Sequence, residues 1–171
     1  MTNEQIQQEI EDDPRQVRLN KRQALLDEGG NPYGHAYEVT ALTGELERRY
    51  PDLEPGDSTT DRVRVAGRVM ARRLQGKIMF LVLRDREGDI QLFCRINELG
   101  DESFAALKDI DVGDWIGAEG EVMRTKRGQL SVRTDTWELL SKSIRPLPEK
   151  FHGLTDKETR YRQRYVDMVM N

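Results

Sequence analysis

A mainly β protein, a five-stranded Greek-key barrel carrying N-terminal helices and a C-terminal connector helix, is the fold class that this sequence predicts. Three observations lead to it. From Arg62 the apolar period is two: Val63, Val65, Gly67, Val69 and Ala71 alternate with Arg62, Arg64, Ala66, Arg68 and Met70, the pattern of a half-buried strand. The periodic segments then run in the order three strands, one helix, two strands. Gly67, inside a long first strand, suits the bend by which one strand serves both halves of a closed sheet.

Asp13-Pro14 opens a first helix, with Asp13 as cap, Pro14 in the first turn and Gln16 at capping-box spacing. Gly29-Gly30 and Asn31-Pro32 end it, and residues 1–12 before it are expected to fray. A second helix is expected over residues 39–49, where Val39, Leu42 and Leu46 fall at helical spacing before Tyr50-Pro51. Neither helix has an apolar face wide enough to stand alone, so both should pack on something else. PDLEPGDSTTD reads as a linker. In the barrel, Gly76-Lys77 turns the first strand into a second over 78–83, and Asp85-Arg86-Glu87-Gly88 is a hairpin loop. A third strand over 90–96 puts Ile90, Leu92, Cys94 and Ile96 on one face, and Phe104, Leu107 and Ile110 mark a short helix. A fourth strand over 114–125, a turn at Lys126-Arg127-Gly128 and a fifth strand over 130–140 complete the set. That order is the order of the OB-fold, with a small α+β sandwich as the competing architecture. RPLPEKFHGL is a stiff connector, and Thr155-Asp156-Lys157-Glu158 caps a last helix with Tyr161, Tyr165 and Val169 on one face. The expected boundaries are a helical extension over 1–60, the barrel over 61–142, and a connector over 143–171 that reads as the way into a larger protein.

The 171 residues suit one ordinary domain with appendages, and with 36% hydrophobic and 34% charged residues the core must be compact. The single cysteine, Cys94, excludes an intramolecular disulfide, and His35 and His152 are too far apart for a Cys/His zinc pattern. No apolar run approaches the ~20 residues that span a bilayer. The acidic, polar TNEQIQQEIEDD is the opposite of a signal or transit sequence, so a cytoplasmic protein with no membrane partner is expected. There is no GxxxxGKS/T, no GxGxxG and no nucleophile paired with a base, so no catalysis is expected from these residues.

Charge points to a partner. The net charge is −4 overall, −8 over residues 1–61, +7 over 62–84 and −3 over 85–171. The basic stretch holds Arg62, Arg64, Arg68, Arg72, Arg73, Lys77 and Arg84 with no acidic residue. Such a strip in β-type sequence is a way to grip a nucleic-acid backbone; a strand face blunted by charge is the bland alternative. An OB-fold binds oligonucleotides across strands two and three and in the one–two and four–five loops, with bases stacked on aromatics and read by polar side chains. Phe80 in strand two and Gln91 in strand three fall on outward positions by alternation, Gln91 sharing its face with Arg95. Phe80 can equally be a core residue in an apolar run, and Gln91 an ordinary solvent-facing one. Strict alternation turns Arg73 inward, so either the strand bulges near Arg72-Arg73 or Arg72 is the outward residue. Lys126 and Arg127 could hold a phosphate or simply form a polar hairpin tip. Cys94 reads as a packed thiol, Glu119 and Glu121 as facing away from RNA, and His152 as without a partner.

Several segments are similar to the N-terminal part of the class II lysyl-tRNA synthetases: KRQALLDEGGNPY, VAGRVMARRLQGKIMFLVLRDREGDIQLF, GAEGEVMRTKRGQLSV and RPLPEKFHGLTDKETRYRQRYVDM, together covering nearly all of residues 14–171. The last is the most specific, because the related aspartyl and asparaginyl enzymes are not expected to carry that connector. The resemblance implies a barrel that binds the anticodon of lysine tRNA. A Phe stacks on the central uridine, while a Gln eleven residues later and an Arg seven residues earlier read it; the matching positions are Phe80, Gln91 and Arg73. Arg72, Lys77 and Lys126 complete the expected nucleic-acid-binding set. The spacing favours the bulge that brings Arg73 outward. Motif 1, FRxE and GxGxxR of the family's catalytic domain are not in these residues. An anticodon-binding fragment is therefore expected, and ATP and Mg²⁺ are cofactors of the full-length enzyme, a homodimer, rather than of this chain. The reading from a different class is a free-standing OB module that binds single strands without catalysis or sequence preference.

Overall fold

A computed structural model describes residues 13–148 and 157–170. The expected fraying of residues 1–12, His152, and the Thr155-Asp156 part of the last cap lie outside the described residues. Five strands close into a barrel in the order β1-β2-β3-β5-β4. They are β1 (Ser58–Gln75), β2 (Ile78–Arg84), β3 (Asp89–Arg95), β4 (Trp115–Arg124) and β5 (Leu130–Ser141). Helices α1 (Pro14–Asp27) and α2 (Thr43–Arg49) precede them, α3 (Ile96–Leu99) and α4 (Asp101–Lys108) join β3 to β4, and α5 (Lys157–Arg162) and α6 (Arg164–Met170) follow. All pairs are antiparallel except β3 with β5, whose parallel seam runs from Gln91↔Ser131 to Cys94↔Thr134. This is the OB architecture.

The 18-residue β1 pairs with β4 through its first half and with β2 through its second. Gly67 sits where the halves meet. A Cβ there would lie 2.6 Å from the Arg84 carbonyl oxygen, so close approach of two strands excludes a side chain. Gly67→Ala is expected to cost roughly 1–3 kcal/mol, the range for overpacking. Urea titration checks this; a midpoint equal to that of the parent chain would remove the constraint.

Inward positions of every strand fill the core, among them Val63, Val65, Met79, Leu81, Leu83, Ile90, Leu92, Ile116, Val122 and Val132, while Phe104, Leu107 and Ile110 pack against them from the α4 segment. Cys94 is enclosed in this core, and burial pushes its thiol up to about 12, an inert packed group.

Several elements depart from expectation. The second helix begins at Thr43, not Val39, because tertiary contacts capture the preceding residues. Thr40 bonds β1 through its N–H to the Arg64 carbonyl and its hydroxyl to the Arg64 N–H, at 2.9 and 2.8 Å. The Asp85 carboxylate then accepts the Thr43 N–H and hydroxyl at 2.8 and 2.7 Å, starting the helix from the β2–β3 loop. Ile96 opens α3 instead of ending β3. Asp13 caps α1 as expected, accepting the Arg15 N–H at 3.0 Å, but the Gln16 side chain donates to Asn20 at 2.9 Å and makes no capping box. The last helix breaks at Gln163, with Tyr161 and Tyr165 exposed and Val169 half-buried.

Helix α1 docks by charge. Its one buried residue is Arg18, which donates to the Val112 carbonyl at 2.9 Å and reaches those of Ser143 and Arg145 at 3.4 Å. Lys21 pairs with Asp111 at 2.9 Å. Asp111 and the fully buried Asp114 both bind the buried ammonium of Lys142, at 2.6 and 2.8 Å. Residues 108–114 thus tie α1, β1 and the end of β5 together.

Candidate nucleic-acid interface

The bulge that the site needs lies at Met70, two residues ahead of its expected place. Val69 pairs with Leu83 and Ala71 with Val82, leaving Met70 unmatched. Val69 and Met70 are both buried, and from Ala71 onward the alternation is inverted. Arg73 thereby pairs with Phe80 across β1–β2, and Phe80 with Phe93 across β2–β3. Opposed residues of a sheet share a face. The outward row is therefore Arg73, Phe80, Phe93 and, across the seam, Arg133.

Arg73, Phe80 and Phe93 of this row line a cleft of about 900 Å³, together with Val82, Gln91, Arg95, Thr125, Lys126, Arg127 and Gln129. The Arg73 guanidinium lies over the Phe80 ring at 5.4 Å and that of Arg95 over Phe93 at 5.6 Å. The two rings are 5.3 Å apart and tilted by 50°. Phe80 is half-buried, unlike its neighbours Met79 and Leu81, which are in the core. Gln91 is half-buried on the same floor, and the Ser131 hydroxyl donates to its Oε1 at 2.9 Å.

The sequence candidates separate. Arg73, Phe80, Gln91 and Lys126 meet in the cleft, with Arg127 beside them. Arg72 borders it, but pairs with Leu81 and spends its guanidinium on the carbonyls of Lys108, at 2.7 Å, and Ile110. Lys77 is exposed in the β1–β2 turn and does not line the cleft. Nor is the basic stretch one surface. Arg62 pairs with Glu119 and Asp135 at 3.0 and 2.8 Å, Arg64 with Glu38 at 3.0 Å and Arg84 with Asp89 at 2.6 Å. Arg68 donates to the Gly113 carbonyl at 3.0 Å, and burial lowers its pKa. Arg62, Arg64 and Arg68 share the outward face of β1 along the half that pairs with β4, and Arg84 ends β2; carboxylates, or for Arg68 a backbone carbonyl, meet them there. Glu119 with Arg62, and Glu121 with Arg133, lie outside the cleft.

Phe93 is the residue that sequence reasoning missed. It stands two positions after Gln91, so alternation alone could have found it, and it makes two outward rings where one was expected. Ser131 carried no signal, because its place is set by a parallel pairing between distant segments.

Residues 63–140 match the tRNA anti-codon family, described as an OB-fold nucleic acid binding domain. The lysine–tRNA ligase of Streptococcus gordonii is 45% identical over 157 residues, 91% of this chain and 32% of that protein. That of Synechococcus sp. strain RCC307 is 46% identical over 157 residues, 92% and 31% of the respective chains. The chloroplastic/mitochondrial lysine–tRNA ligase of Arabidopsis thaliana is 46% identical over 161 residues, 92% and 27%. The chain spans about a third of the length of these curated relatives.

Proposed function

We propose that this chain, which belongs with the anticodon-binding region of the lysine–tRNA ligases, holds the central base of a lysine tRNA anticodon on Phe80. Arg73 and Gln91 bond the edge of that base, Lys126 and Arg127 meet neighbouring phosphates, and Phe93 braces the Phe80 ring and extends the apolar floor. Lys77 adds charge from the β1–β2 turn, and Arg72 holds the end of α4 against β1. The observation that supports this reading is the meeting of a cation, a ring and an amide in one cleft, from three adjacent strands. A flat base fits such a floor because every base offers a π-face, while an amide and a guanidinium supply the edge contacts.

For the whole protein we assign the reaction of its relatives, joining lysine to tRNA with ATP and Mg²⁺, carried out by a homodimer in the cytoplasm. No group of three His, Cys, Asp or Glu that could hold a metal occurs among the described residues. No described helix is long and apolar enough to cross a membrane.

Titration of the chain with a uridine-rich RNA hairpin tests the reading. Affinity should exceed that for an unrelated hairpin of equal charge. The slope of log K against log salt should be about −2 to −3, from three or four phosphates at about −0.7 each. Equal affinity for both hairpins would favour a general single-strand binder, which two outward rings would also serve; a salt-independent affinity would remove the role of Lys126 and Arg127.

A further inference from the structure

We propose that Ser131 is a positioning residue for base discrimination, fixing which end of the Gln91 amide faces the RNA; this rests on reading Gln91 as the base-edge contact. Ser131 is fully buried and stands opposite Gln91 across the parallel β3–β5 seam. It does not touch RNA itself. Its hydroxyl carries one proton and has two acceptors within reach. Gln91 Oε1 is at 2.9 Å, and the Gln129 carbonyl oxygen is at 3.2 Å. The Gln129 carbonyl already receives the Thr125 N–H at 2.9 Å, so it does not need the serine proton. The shorter contact takes it.

With Oε1 held by the neighbouring strand, the amide turns its NH₂ to the cleft. That group donates to a carbonyl oxygen on a base edge, as uridine offers, and meets the 4-amino group of cytidine donor against donor. The ligand class selected is a base presenting a carbonyl acceptor. If the serine proton passed instead to the Gln129 carbonyl, the amide would turn over, Oε1 would face the RNA, and cytidine would be preferred. The device acts on the identity of the base, not on the strength with which Phe80 holds it.

Two RNA hairpins differing only in uridine or cytidine at the centre of the loop test this, titrated against the parent chain, Ser131→Ala, Ser131→Thr and Gln91→Ala. Ser131→Ala frees the amide to turn, and the uridine-to-cytidine affinity ratio should fall roughly three- to tenfold, the worth of one net hydrogen bond. It should fall chiefly because cytidine binding tightens, a gain that damage to the fold cannot produce. Ser131→Thr keeps the hydroxyl and should keep the ratio. An unchanged ratio in Ser131→Ala, beside a lost one in Gln91→Ala, overturns the positioning role and leaves Gln91 as the reader. An unchanged ratio in Gln91→Ala overturns both, and a parent chain that prefers cytidine overturns the amide orientation.

Discussion

Replacing Phe80 with alanine should weaken binding of a uridine-rich hairpin by roughly 5- to 150-fold, about 1–3 kcal/mol, and leave the barrel folded. The ring is half-buried and outward, seated between the Arg73 guanidinium and Phe93. Removing it deletes the stacking surface but opens no hole in the core, whose β2 residues are Met79, Leu81 and Leu83. The stability lost is that of one tilted ring pair and one cation–π contact, on the order of 1 kcal/mol. Because stacking ignores base identity, the loss should be similar for uridine and cytidine, the opposite of the effect at Gln91. Thermal melts run beside the titrations decide the matter. A melting point lowered by tens of degrees would mean that Phe80 is a core residue, since a core Phe→Ala cavity costs ~3–5 kcal/mol.

Lys142→Ala should cost about 3–5 kcal/mol of stability, because it leaves the fully buried Asp114 carboxylate without its cation and takes from Asp111 one of its two ammonium partners. Lys142 is buried, and Asp114 beneath it is fully so. Asp114 also accepts the backbone N–H groups of Asp111 and Ser143 at 2.8 Å each, so it cannot swing out to solvent without breaking them. Replacing Lys142 by Met together with Asp114 by Asn should recover part of the loss, which separates stranded charge from lost packing. The cluster also carries a pH dependence. Burial pushes the Asp111 carboxyl up, but hydrogen bonds from Lys142 and Lys21 more than offset this and hold it below the usual carboxylate range. A depressed folded pKa stabilises above the unfolded value, near ~3.9, and the gain is lost as pH falls through the folded value. Acid below about pH 4 should therefore loosen α1, whose Lys21 is a cationic partner of Asp111, before the barrel opens. Denaturant midpoints that do not change with pH in that window would refute the linkage.

How far the sequence reveals the site depends on the range of the interaction that makes it. Alternation found Phe80, Gln91 and the inward Leu81 and Leu92, because a period of two is a local property of one strand. It misplaced the bulge, since the extra residue is set by the pairing of Val69 and Ala71 with β2, which Met70 does not announce. It began α2 too early because Val39 and Leu46 share a helical spacing while Thr40 is captured by β1. The basic stretch suggested one continuous surface because charge is counted along the chain, whereas Glu119, Asp135 and Glu38 come to it from elsewhere in the fold. α1 gave the least signal: its anchor is an arginine, and hydropathy has no way to mark a buried arginine as contact.

The parallel seam between β3 and β5 sets an order of assembly for recognition. Phe80 and Gln91 come together on a single hairpin, β2–β3, whose residues are near neighbours in the chain. Ser131 arrives from 40 residues away, and only when β5 zips onto β3. Contacts that close long loops form late. If the proposed roles of Phe80, Gln91 and Ser131 hold, a chain with the hairpin formed and the seam open would have a place to rest a base, but not yet a means to tell which base it is. Grip comes first and literacy second. A cognate RNA that needs both would then bind the closed barrel in preference to the open one, and by mass action would draw the last strand home.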